Sequence, residues 1–144
     1  MRRRVIAVAA ALAALAALVV VIAVARGDRD DAPAASPGPG LDARTVTAGE
    51  VDVKIEPRQL DDQAAVFAVS FDTHSGDLST DVARTANLEV GGVAWTDPAW
   101  DGDGPGGHHR TGELSFQAAG PANGEVRLSI DGLDAPVEAT WRGP

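Results

Sequence analysis

The chain has 144 residues, a formal net charge of −9 and no cysteine, enough length for one ordinary domain plus a short appendage. Without cysteine there is neither a disulfide framework nor a lipid-attachment residue, so a packed core must hold any folded part. From Asp42 to Pro144 seven Lys and Arg stand against eighteen Asp and Glu, a formal −11, and a surface so acidic argues against nucleic acid as a partner.

The chain opens with Met-Arg-Arg-Arg and then runs from Val5 to Ala25, 21 residues without a charged or polar side chain. As a helix that run spans roughly 31 Å, close to the roughly 30 Å hydrocarbon core of a bilayer and longer than the apolar region of an ordinary signal peptide. Three arginines precede it, whereas Arg26 and Arg29 after it are mixed with Asp28, Asp30 and Asp31. The positive-inside rule therefore predicts a cytoplasmic segment over 1–4, a transmembrane helix or uncleaved signal anchor over 5–25, and everything later outside the cytoplasm. Ala23-Val24-Ala25 has the small-x-small form of a cleavage site, so secretion after cleavage near Ala25 is the alternative.

Residues 26–41, RGDRDDAPAASPGPGL, carry three prolines and three glycines with no apolar period. That composition predicts a disordered tether. The folded domain is expected over 42–144, where the apolar period becomes two. Val51, Val53 and Ile55 alternate with charged residues in a strand closed by Pro57; Ala65, Phe67, Val69 and Phe71 form one face of the next. Leu78, Thr80 and Val82 share a phase in the short segment DLSTDV. Leu88 and Val90, a Gly91-Gly92 turn, then Val93 and Trp95 spell a hairpin. Leu114 and Phe116, then Val126, Leu128 and Ile130, then Val137, Ala139 and Trp141 complete the series. Seven or eight strands with no helical period predict an all-β fold, an immunoglobulin-like antiparallel β-sandwich, with a small barrel as the alternative.

No nucleophile elbow, nucleotide cradle or distinguished carboxylate pair is present, so no catalytic residue is assigned. Asp97, Asp101 and Asp103 cluster, but the EF-hand spacing puts Gly112 where a bidentate glutamate is required. The histidines carry more interest. His74 lies in FDTHSGD; His108 and His109 lie in DGDGPGGHHRTG. Three converging imidazoles suit zinc or copper. Asp72, Trp100 and Arg110 flank them as ligand or interaction residues, Arg110 pairing with Asp72 or Asp77 and Trp100 covering the end of the core. Whether the histidines meet depends on topology. If Gly76–Arg84 only skirts the end of the sheet, the 98–110 loop meets His74; if DLSTDV crosses as a strand, that loop falls at the opposite end.

FDTHSGDL together with GGHHRTGELSF resembles a group of extracytoplasmic domains of bacteria and archaea that carry FDTHS and GGHHR-x-G-x-L-x-F segments. The resemblance covers about Val51–Trp141 and implies that His74, His108, His109 and Arg110 belong to one shared pattern; it brings no catalytic role. The Gly-rich lead-in DGDGPGG is longer than that pattern's. The later half also resembles small secreted immunoglobulin-like domains of bacterial surfaces, which bears on fold alone. The expected molecule is thus a membrane-anchored binding or interaction module of the cell envelope, holding no cofactor and meeting an envelope protein. The alternative is a zinc or copper protein, or a metal-dependent enzyme, built on His74, His108 and His109.

Overall fold

The computed structural model describes residues 41–143. The apolar run over 5–25, the cytoplasmic 1–4 and the tether up to residue 40 lie outside the described residues. Within them no helix is long and apolar enough to cross a membrane.

Eight antiparallel strands make up the fold: β1 (Arg44–Ala48), β2 (Val51–Leu60), β3 (Ala64–Thr73), β4 (Ala86–Val90), β5 (Val93–Gly102), β6 (His109–Gln117), β7 (Glu125–Ile130) and β8 (Val137–Arg142). One four-residue helix, α1 (Val82–Thr85), precedes β4. The hydrogen-bonded order is β1-β2-β3-β6-β5-β4-β7-β8, a single ladder bent so that both of its halves face one core. β5 makes the bend. Val93–Trp95 pair with β4, while Thr96–Gly102 pair with β6, and the register shifts between Thr96 and Ala99. Asp97 sits there with φ 51°, the left-handed turn that lets a strand leave one partner for another.

The alternating residues meet in that core. Val51, Val53 and Ile55 of β2, Phe67, Val69 and Phe71 of β3, Leu114 and Phe116 of β6, Val126, Leu128 and Ile130 of β7, and Val137 and Trp141 of β8 are all buried. Phe67 packs edge-on against Phe116 and, tilted, against Trp141 at 5.6 Å, joining the two halves. The predicted hairpin is present: Gly91 and Gly92, both at positive φ, form the two-residue link that matches strand twist.

Two expectations are corrected and two open points are settled. Pro57 does not close β2, which continues to Leu60 with a register shift against β3 just past Pro57. β1 reaches only to Ile55, so from there β2 is an edge strand, where a missing N–H is tolerated. DLSTDV is not a strand. Leu78 and Val82 are buried, but β3 is already paired on both edges, and Asp81 caps α1 through its carboxylate and the Arg84 N–H. Val93 is 42% exposed, although Val90, its partner across the hairpin, is buried. Leu41, read as the last tether residue, is buried, and the Asp42 carbonyl accepts from Trp141 Nε1 at 2.7 Å.

The registers also give the domain two distinct ends. At the near end lie residues 41–43, the 61–63 and 91–92 turns, the 118–124 loop and Gly143. At the far end lie the 49–50 turn, the 74–81 segment with α1, the 103–108 loop and the 131–136 loop. Residues 41–43 lie at one end; every histidine is at the other.

Candidate functional site at the far end of the sheet

β3 ends in the FDTHS segment, and its alternation assigns each residue a task. Phe71 points into the core. Asp72 is opposite His109 in the β3–β6 ladder, and the two exposed side chains pair through Asp72 Oδ1 and His109 Nδ1. A carboxylate only accepts, so a hydrogen bond here requires the proton on Nδ1. Thr73 faces inward and is buried. Its hydroxyl donates to the Glu50 carbonyl at 2.8 Å and accepts from the Gly76 N–H at 2.6 Å, which turns the chain out of the strand and ties it to the 49–50 turn. His74 follows, exposed. Ser75 bonds the Glu50 carboxylate.

β6 begins in the second segment. The His108 carbonyl accepts from Thr73 N–H at 2.9 Å, so FDTHS and GGHHR are adjacent strand ends. The arrangement in which 76–84 skirts the sheet is the one the chain adopts. His108 and His109 are exposed, whereas Arg110 is 3% exposed. Its Nε donates to the Asp103 carbonyl at 2.9 Å; Nη1 donates to the Thr80 carbonyl at 2.7 Å and the Leu78 carbonyl at 3.3 Å. Its guanidinium lies 5.2 Å from the centre of the Trp100 ring. Burial pushes its pKa down, with Asp81 and Asp103 opposing, and arginine stays charged under such loads. The expected pairing with Asp72 or Asp77 is not made. Asp72 is on the outer face with His109, and Asp77 bonds Ser79.

Trp100 belongs to β5 rather than to a loop, since only 103–108 separates β5 from β6. As expected it covers the end of the core, edge-on to Phe71 at 6.0 Å, and its indole N–H finds the Asp103 carbonyl at 3.0 Å. Asp103 in turn accepts from the N–H and hydroxyl of Thr111, which lower its pKa. Sequence reasoning weighed Asp103 only as a calcium ligand and Gly112 only as the glycine that breaks that spacing, and it passed over Thr73. A Cβ on Gly112 would lie 2.5 Å from the Trp100 ring and 2.7 Å from the Asp101 carbonyl. The glycine of GGHHR-x-G is thus the seat of the Trp100 indole.

The far end therefore brings together Asp72 with His109, and Trp100 with Arg110. It places His74 and His108 at the same end. Among the described residues no group of three or more His, Asp or Glu side chains is arranged to hold a metal ion.

No family model matches the chain, and no curated protein matches it. The resemblance to extracytoplasmic domains with FDTHS and GGHHR segments stands on those motifs alone. Among solved structures the chain is similar to MPT63, a secreted protein from Mycobacterium tuberculosis, at TM-score 0.45 and 16% identity over 70% of this chain and 92% of that one.

Proposed function

We propose that the protein is a membrane-anchored, extracytoplasmic binding module of the immunoglobulin-like sandwich type, and that it meets an envelope protein with its far end. The observation that carries this is the division of labour within the two motifs. Phe71, Thr73, Arg110, Gly112 and Trp100 fix the strand ends and loops from below, while His74, His108 and His109 stay exposed on top. A rigid support under an exposed polar face is the form of a recognition surface, where loops on a fixed scaffold carry binding. That face carries Glu50, Asp72, Asp77, Asp81, Asp103, Asp131 and Asp134, so the complementary partner surface is cationic and nucleic acid is disfavoured. The apolar run over 5–25 supports the anchor, and within the domain the histidines lie at the end opposite residues 41–43.

The test is a photo-crosslinking residue at position 74 or at position 62, introduced into the full chain in its native cell. Position 74 should give a discrete protein adduct and Asp62, at the near end, should not. Equal adducts from both positions, or none from 74, would refute the assignment.

The Asp72–His109 pair supports a second reading. A carboxylate on Nδ1 is the arrangement that orients an imidazole toward a metal through Nε2, which would make His109 the first ligand and His74 and His108 its neighbours. Zinc and copper(II) titrated into the tag-free chain decide between the two. Stoichiometric binding tighter than about micromolar, lost in His109→Ala, favours the metal protein; its absence leaves the binding module.

A further inference from the structure

β1 and β8 are the two edges of the bent ladder, and among the described residues no strand pairing closes them. At the near end a groove of about 350 Å³ is lined by Arg44, Glu125, Thr140, Trp141 and Arg142. Arg44 occupies an unexpected phase. Ala48 and Val46 of β1 point toward the core, buried and half-buried, and Arg44 is the next residue on that face. It is nevertheless exposed and shares the groove with outward-facing Thr140 and Arg142 of β8.

The charge inventory makes the pair stand out. Glu56 takes up Lys54 and Arg58, Glu125 and Glu89 take up Arg127, and Arg110 is spent on carbonyls. In a domain with eighteen carboxylates, neither Arg44 nor Arg142 has one within ion-pair distance among the described residues. Glu125, on the groove's rim, is held by Arg127 at 2.7 Å. Trp141, which also lines the groove, is held by its indole N–H on the Asp42 carbonyl.

We propose that this groove is an oxyanion site for a small phosphate ester. Two guanidiniums offer forked donors to a dianion, and the Thr140 hydroxyl adds another. The groove is open to solvent and has room for an organic group beside the anion. The acidic surface that repels a long polyanion is a weaker obstacle here, since charges beyond about 8 Å are screened at physiological salt.

The test is calorimetric titration of the full chain in non-ionic detergent at physiological ionic strength, with glycerol 3-phosphate and, separately, inorganic phosphate. Glycerol 3-phosphate should bind, and Arg44→Gln and Arg142→Gln should each weaken it about fivefold. Arg84→Gln, an exposed arginine at the end of α1 with no carboxylate partner among the described residues, is the control and should leave it unchanged. Tighter binding of the ester than of the free ion identifies an organic phosphate or lipid headgroup as the ligand, and equal binding identifies free phosphate. No binding of either, or binding indifferent to both substitutions, overturns the proposal.

Discussion

Arg110 shows how a charged side chain comes to hold loops together. A buried guanidinium must satisfy its donors, and here three main-chain carbonyls from two separate segments do so. Those bonds join the 103–108 loop to the 78–80 segment, and the Gly106 N–H donates to the Leu78 carbonyl beside them at 2.9 Å. Lysine keeps the charge but has one nitrogen, which cannot span the Asp103 and Thr80 carbonyls together. Arg110→Lys should therefore cost about 2–3 kcal/mol by urea denaturation, and amide exchange at Gly106 should speed up more than at core positions. A loss below about 0.5 kcal/mol, with Gly106 protection unchanged, would show that the carbonyl contacts contribute little. In sequence, Arg110 is one residue past two histidines and looks like their surface companion. Its burial follows from strand phase: opposite Phe71 in the ladder, it has to point inward. The phase was readable from Leu114 and Phe116 backwards; the presence of carbonyls to receive the guanidinium was not, because they come from segments with no period.

Strand periodicity carries most of what was legible at the scale of elements. Every buried face read from alternation in β2, β3, β4, β6, β7 and β8 is buried, because a half-buried strand has no other way to divide apolar from polar residues. Alternation failed where burial does not come from pairing. Leu78 and Val82 are core residues supplied by a loop and one helical turn, and a period of two cannot distinguish these from a strand. β1 went unread because it is five residues long and its core phase begins with Arg44. The centre of the core is where three strands meet through single rings: Phe67 of β3 lies against Phe116 of β6 and Trp141 of β8. Phe67→Ala and Trp141→Ala should each cost about 3–5 kcal/mol. Melting curves within a degree of the parent protein would show that these rings do not join the halves.

The balance of charge belongs to the molecule as a whole. A domain with a formal −11 repels itself, and acid relieves that repulsion. Relief matters to stability only where protonation differs between folded and unfolded chains. Four carboxylates have folded pKa values below their ordinary ones. Glu56 is lowered first by its hydrogen bond with Lys54, Asp61 by the Gln63 and Ala64 N–H groups, Asp77 by Ser79, and Asp103 by Thr111. Each therefore binds a proton less readily when folded. Their stabilisation is complete above the unfolded carboxylate range, about pH 4, and is lost as pH falls through the folded values. Unfolding free energy should be level from about pH 7 to 5 and should fall below about pH 4. Asp103→Asn should make that fall shallower by removing one linked proton, while lowering stability at neutral pH because the Thr111 contacts weaken. Denaturant curves taken across this range measure both effects. A domain that grows more stable from pH 5 to 3 would mean that self-repulsion outweighs the four hydrogen-bonded carboxylates, and that the acidic surface, rather than its local pairing, governs how the fold responds to acid.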